Sequence, residues 1–154
     1  MREQKVPRGL RNHNPLNIKL NKNNRWVGLS AVQLDKVFVQ FRSPEYGWRA
    51  AFIIMWNYYW KYGWRTIREV VTHWAPKTEN DTEEYIDSVC RLTMIPAQQD
   101  LGSMAQNPGK WQRVALAMAY IENGRTDLEV MPMLQGFDMA LTAVRGSTYE
   151  AKYV

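Results

Sequence analysis

The groups able to do acid–base or nucleophilic chemistry are few, and their spacing narrows the choice. His13 and His73 stand alone, no HExxH pattern or cysteine cluster is present, and Cys90 is the single cysteine, so metal catalysis finds no ligand set. No glycine-rich phosphate loop follows a strand, which argues against nucleotide chemistry. No serine sits in a convincing nucleophile turn. Carboxylates remain: Glu122 first, then Glu79, Asp81, Glu45 and Asp35.

Glu122 leads because of where its helix puts it. In WQRVALAMAYIENGR, residues 111–125, Val114, Ala117, Met118 and Ile121 recur at the offsets that share one helical face, with Trp111 one turn earlier. Glu122 lies four residues past Met118 and continues that apolar row. Asn123-Gly124 then supplies a helix stop. A helix C-terminus disfavours a further negative charge by about 0.3–1 kcal/mol when exposed, and partial burial acts in the same sense. A carboxylic acid that keeps its proton near neutrality is what general-acid cleavage of a glycosidic bond requires. The spacing alone leaves a second reading open, in which Glu122 ends a helix at the surface beside Arg125.

The rest of the chain must position these groups. Its 154 residues suffice for one domain spanning 1–154, and 45% hydrophobic content with seven Trp and eight Tyr argues for a packed, aromatic-rich core. Cys90 falls inside an apolar helical pattern and reads as core; alone, it excludes an intramolecular disulfide. The start, MREQKVPRGLRNHN, carries no apolar run, so neither a secretory signal peptide nor a membrane span is expected there. A net charge of +5 favours an anionic partner, for which cell wall, nucleic acid and acidic membranes all qualify.

In chain order, residues 1–24 are polar and turn-rich, and Asn14-Pro15-Leu16-Asn17-Ile18 can bond its own backbone or present amides to a ligand. Residues 26–29, 31–34 and 36–41 read as short strands of a small antiparallel sheet, with Val37, Val39 and Phe41 on one face. Everything beyond is helical. Ser43-Pro44-Glu45 starts a helix to about Tyr62, stopped by Gly63, whose Trp48, Phe52, Trp56 and Trp60 make it the central buried element. That start signal explains Glu45 structurally. Thr66 with Glu69 caps a helix through Trp74 that Pro76 closes, and Asp81 with Glu84 caps another carrying Tyr85, Ile86, Val89 and Cys90. A short helix is expected over Gln98 to Met104, and a last one over about Pro132 to Arg145. Residues 1–8 and 147–154 read as loose tails.

Taken together, RGLRNHNPLNI, W-x-G, FVQFRSPEYGWRA, HWAPKTENDTEEYI and AMAYIENGR resemble a lysozyme-like family of phages and prophages that includes lytic transglycosylase and muramidase relatives, often labelled only as virion proteins. The resemblance runs from about Gly9 to Gly136. It implies a mainly α (α+β) fold with a small β-hairpin near the N-terminus, acting on peptidoglycan glycan strands without metal or other cofactor. In that family the catalytic acid ends a helix in a Glu-Ser-Gly-like context and is followed by an Asn-x-x-x-Ile segment. Here Glu-Asn-Gly lies late and Asn14 to Ile18 early, so the order resembles a circular permutation that packs Glu122 against residues 14–18.

The resemblance further implies Glu122 as the acid that cleaves the N-acetylmuramic acid–N-acetylglucosamine bond, and Glu79 as the first choice for a second carboxylate. Tyr46, Trp74 and Tyr85 would stack on sugars, while Asn14, Asn17, Asn80 and Thr82 would bond the N-acetyl groups. Two carboxylates would give hydrolysis; one would give an anhydro-sugar product by transglycosylation. Without a signal peptide, delivery would be with the virion or by release to the cell wall through another protein. The rival expectation is a non-catalytic virion component keeping the fold, contacting other virion proteins or nucleic acid.

Overall fold

A computed structural model describes residues 5–23 and 25–145. Six α-helices appear among them: α1 Arg8–Arg11, α2 Pro44–Asn57, α3 Ile67–Trp74, α4 Thr82–Thr93, α5 Pro108–Asn123 and α6 Val130–Val144. No helix among the described residues is long and apolar enough to cross a membrane. The expected tail at 147–154 lies outside the described residues. Of the tail expected at 1–8, Arg8 instead opens α1 and its guanidinium forks onto both oxygens of Asp35 at 2.7 Å.

The helix starts follow their local chemistry. Pro44 occupies the first turn of α2 after an extended Ser43. Thr66 accepts from the Glu69 amide while its hydroxyl donates to the Glu69 carboxylate, and Asp81 accepts from the Glu84 amide. α2 is buried around most of its circumference and packs most extensively against α6, where the Phe52 and Phe137 rings meet edge to face at 5.0 Å. α5, through Trp111, Val114 and Met118, fills the other side of the core and packs against α4. Beyond Asn57 the helix widens into a π-helical turn, Tyr58–Tyr62, ended by Gly63. This places Tyr58 edge-on to Trp64, His73 and Trp74.

Two sequence expectations are corrected. The small β-hairpin does not form: only two isolated antiparallel bridges, Lys19 with Phe38 and Leu29 with Phe41, occur among the described residues. Side chains have taken the backbone groups that a ladder would use. Asn14 bonds Ile18 N, Ile18 O and Val39 O; Gln33 bonds both Gln40 N and Gln40 O; Asp35 accepts from Val37 N and Phe38 N. Nor is there a helix over 98–104. There Leu101 N donates to Arg65 O, Arg68 N donates to Ala97 O, and Gly102 adopts a left-handed φ of 72°, so the segment is tied to the start of α3 instead of to itself.

Candidate active site

Glu122 occupies the last turn of α5, half-buried, one residue before the helix ends. Gly124 at φ 62° returns its amide to Tyr120 O and turns the chain away. The Glu122 carboxylate is gripped from two sides. Asn17 Nδ2 donates to Oε1 at 2.9 Å, and the Tyr85 hydroxyl donates to Oε2 at 2.9 Å. Arg125 does not pair with it: its guanidinium forks onto Asp127 at 2.8 and 2.9 Å.

Each partner is itself held by the fold. Asn17 sits in the left-handed region at φ 53°, a conformation asparagine tolerates, at the end of a turn closed by Asn17 N to Asn14 O. Asn14 is fully buried beneath it with its amide committed to Ile18 and Val39. The neighbouring Asn123, also buried, donates to Pro15 O at 2.8 Å and to Ala119 O at 2.9 Å, which binds the end of α5 to the same turn. Trp74 donates its indole N–H to Leu16 O at 3.0 Å from the other flank. Residues 14–18 and the end of α5, although over a hundred positions apart, are therefore in direct contact.

Gly9 makes this junction possible. A β-carbon there would lie 2.6 Å from Asn123 Oδ1, 2.8 Å from Asn17 Oδ1 and 2.9 Å from Asn14 O. Both amide oxygens are buried with no conventional donor, because their nitrogens are turned to Glu122 and Pro15. They point at the α-hydrogens of Gly9, where Cα–H···O contact is the interaction available.

The pairing constrains proton chemistry. An amide nitrogen can only donate, so Asn17 selects the unprotonated oxygen and leaves Oε2 as the place for an acidic proton. Oε2 faces a hydroxyl that can donate or accept. Burial, and then the neighbouring Glu122, push the Tyr85 phenol well above its ordinary range.

The other residues singled out by sequence divide into three groups. Asn17, Trp74 and Tyr85 join Glu122, the first and last by direct hydrogen bonds. Glu79 and Asn80 lie on the exposed loop before α4; Glu79 is ion-paired with Lys19, two residues beyond Asn17, and Asn80 lines a shallow depression of about 230 Å³ with Tyr85 and Ile121. Three have other work. Asn14 is corrected from ligand to scaffold, being buried with its amide satisfied. Thr82 is likewise buried, its hydroxyl donating to Ala75 O at 2.6 Å. Tyr46 faces a separate groove between α2 and α6, its hydroxyl bonded to Arg42 at 2.7 Å. Among the further carboxylates, Asp81 caps α4, Asp35 clamps Arg8, and the Ser43 hydroxyl holds Glu45 below its usual range.

Sequence reasoning missed Gly9 and Asn123 as site-building residues, and an aromatic surface beside them. Trp74 meets Tyr58, Tyr58 meets Trp64, and Trp64 is stacked between exposed Tyr62 and His73 at 4.5 and 3.4 Å. No spacing rule links these rings, because they come from the π-helical turn, the segment after it and α3. No group of His, Cys, Asp and Glu among the described residues could hold a metal ion.

The fold and site thus define a mainly helical domain with one carboxylate fixed at a helix end by an amide and a phenol from distant elements. No family model matches the chain. Over 133 residues, covering 85% of this chain and 80% of its relative, it is 39% identical to protein P5 of Pseudoalteromonas phage PM2. The chain belongs to the family of that bacteriophage protein.

Proposed function

We propose that this protein is a phage-associated, lysozyme-like glycosidase that cleaves peptidoglycan strands, with Glu122 as the general acid. The observation that carries this reading is the two-point grip on Glu122, which fixes the position and orientation of the carboxyl at the end of α5. The glycan would cross the end of α5 between the turn at residues 14–18 and the loop 76–81. Asn80 reaches the N-acetyl groups, and the rings from Trp74 to Tyr62 stack on sugar faces. Glu122 gives its proton to the glycosidic oxygen; the departing sugar leaves with that proton, and the resulting carboxylate is stabilised by both donors.

Glu79 is bound to Lys19 across the groove, and no second carboxylate is hydrogen-bonded at Glu122 among the described residues. This favours the one-carboxylate route, in which Glu122 next takes the proton of the muramic 6-hydroxyl as the 1,6-anhydro ring closes. The relative's phage origin fits delivery with the virion. The test is digestion of purified peptidoglycan by wild type and Glu122→Gln, read by mass spectrometry. Anhydromuramic ends with wild type and a loss of about 10²–10⁴-fold with the variant are expected. Reducing ends that vanish in Glu79→Gln would make the enzyme a two-carboxylate muramidase. Equal digestion by wild type and Glu122→Gln would remove Glu122 from the chemistry, and no digestion by folded wild type would favour a non-catalytic virion component.

A further inference from the structure

Residues 5–42 carry eight Lys and Arg against one acid, Asp35, whereas the whole chain carries 20 against 15. That single acid is neutralised by Arg8. Lys22, Arg25 and Lys36 are exposed and form no ion pair among the described residues. The positive charge of the protein is therefore concentrated in one lobe.

The same lobe ends in an apolar tip. Ile18 and Val39 are paired through Val39 N to Ile18 O, and both are buried. The next pair on that face, two residues along each segment, is Leu20 and Val37, joined by Leu20 N to Val37 O at 2.8 Å. These two are 43% and 45% exposed, so the core-facing stripe runs past the edge of the body into water. The loop 31–36, which leads into Val37, presents Val32 at 63% and Leu34 at 79% exposure. The loop is braced from within: Gln33 Nε2 donates to Ser30 O and Gln40 O, and Leu34 N donates to Gln40 Oε1. Four aliphatic side chains are thus left exposed to water among the described residues, with Lys22 and Lys36 close by in sequence.

We propose that this tip docks on an anionic lipid surface, Val32 and Leu34 entering the headgroup–acyl boundary while Lys22 and Lys36 meet lipid phosphates. Aliphatic side chains gain nothing from a glycan or a nucleic-acid backbone, and both are polar throughout. A second copy of the lobe would bring like charge against like charge. An anionic bilayer satisfies both halves of the surface at once, as interfacial segments do. The ribbon that carries the tip also carries Asn17, so docking would set the Glu122 site beside the membrane.

The test is flotation of the full chain with phosphatidylglycerol–phosphatidylethanolamine vesicles and, separately, phosphatidylcholine vesicles. Binding to the first at low salt, weakened about tenfold or more by Val32→Asp with Leu34→Asp at an unchanged melting temperature, is expected. Lys22→Glu with Lys36→Glu should weaken binding and flatten its salt dependence. Absence of flotation with anionic vesicles would overturn the proposal. So would flotation indifferent to the two aspartates, which means adsorption by charge alone. A dimer in sedimentation that Leu34→Asp dissolves, without vesicle binding, would assign the tip to self-association. None of these outcomes depends on glycosidase activity.

Discussion

The helical body and the N-terminal lobe are held together in different ways. From Pro44 onward, order comes from apolar side chains closing on one another: Phe52, Ile53, Trp111 and Met118 are all fully or almost fully buried. The lobe has Leu16, Ile18, Trp26, Val39 and Phe41 at its root, but its shape is set by amide and carboxylate side chains acting as backbone partners. Burial is non-directional and tolerates adjustment, whereas hydrogen bonds from Asn14, Gln33 and Asp35 fix individual atoms. The candidate site lies on the seam, taking its carboxylate from the body and Asn17 from the lobe. A precise local shape has been set against a broad hydrophobic foundation.

The largest loss is expected in the helical body. Phe52→Ala should cost about 3–5 kcal/mol, since it opens a cavity against Phe137 and Trp48, and denaturant unfolding should show the loss across the entire molecule in one transition. A smaller and more local effect is expected in the lobe. Asn14→Ala leaves Ile18 N and Val39 O without the Asn14 side chain and Ile18 O with the Val39 amide alone, a cost of about 1–3 kcal/mol. Hydrogen exchange should quicken at Asn17, Ile18 and Val39 while amides inside α2 keep their protection. Equal loss of protection in α2 would mean that the two regions are one cooperative unit.

The mildest perturbation is acid. The Arg8 guanidinium, and then the amides of Phe38 and Val37 with the Asn12 side chain, hold the Asp35 carboxyl far below its ordinary 3.8. Because the folded value is depressed, the stabilisation is complete above the unfolded value and disappears as pH falls below about 4. Exchange at Val37 and Phe38 should therefore accelerate below about pH 4 before the helices respond. In Asp35→Asn those amides should already exchange faster at neutral pH, with a flatter acid response.

Sequence alone carries the helical body well, since caps are written locally: Thr66 with Glu69, Asp81 with Glu84, and Gly124 each act within four residues. The lobe is harder to read for a physical reason. Alternation at Val37, Val39 and Phe41 predicts a ladder, and only two of these three residues are buried, because side chains claim the backbone first. A residue's appetite for its own backbone does not show in a hydrophobic pattern. Glu122 is legible because its helix has a period and a stop. Asn17 and Tyr85 could be named as site residues, but their bonds to Glu122 depend on a long-range fold that no local rule encodes. Gly9 leaves no side chain to interpret.

Asn17 and Glu122 are separated by 105 positions, which has a consequence for the timing of synthesis. During translation the asparagine leaves the ribosome early, but the carboxylate it holds is among the later residues made, several seconds behind at roughly 5–20 residues per second. Until α5 is complete and free to pack, residues 14–18 have nothing to bind across the seam. The grip on Glu122 therefore closes only after the whole of α2 to α5 has been made.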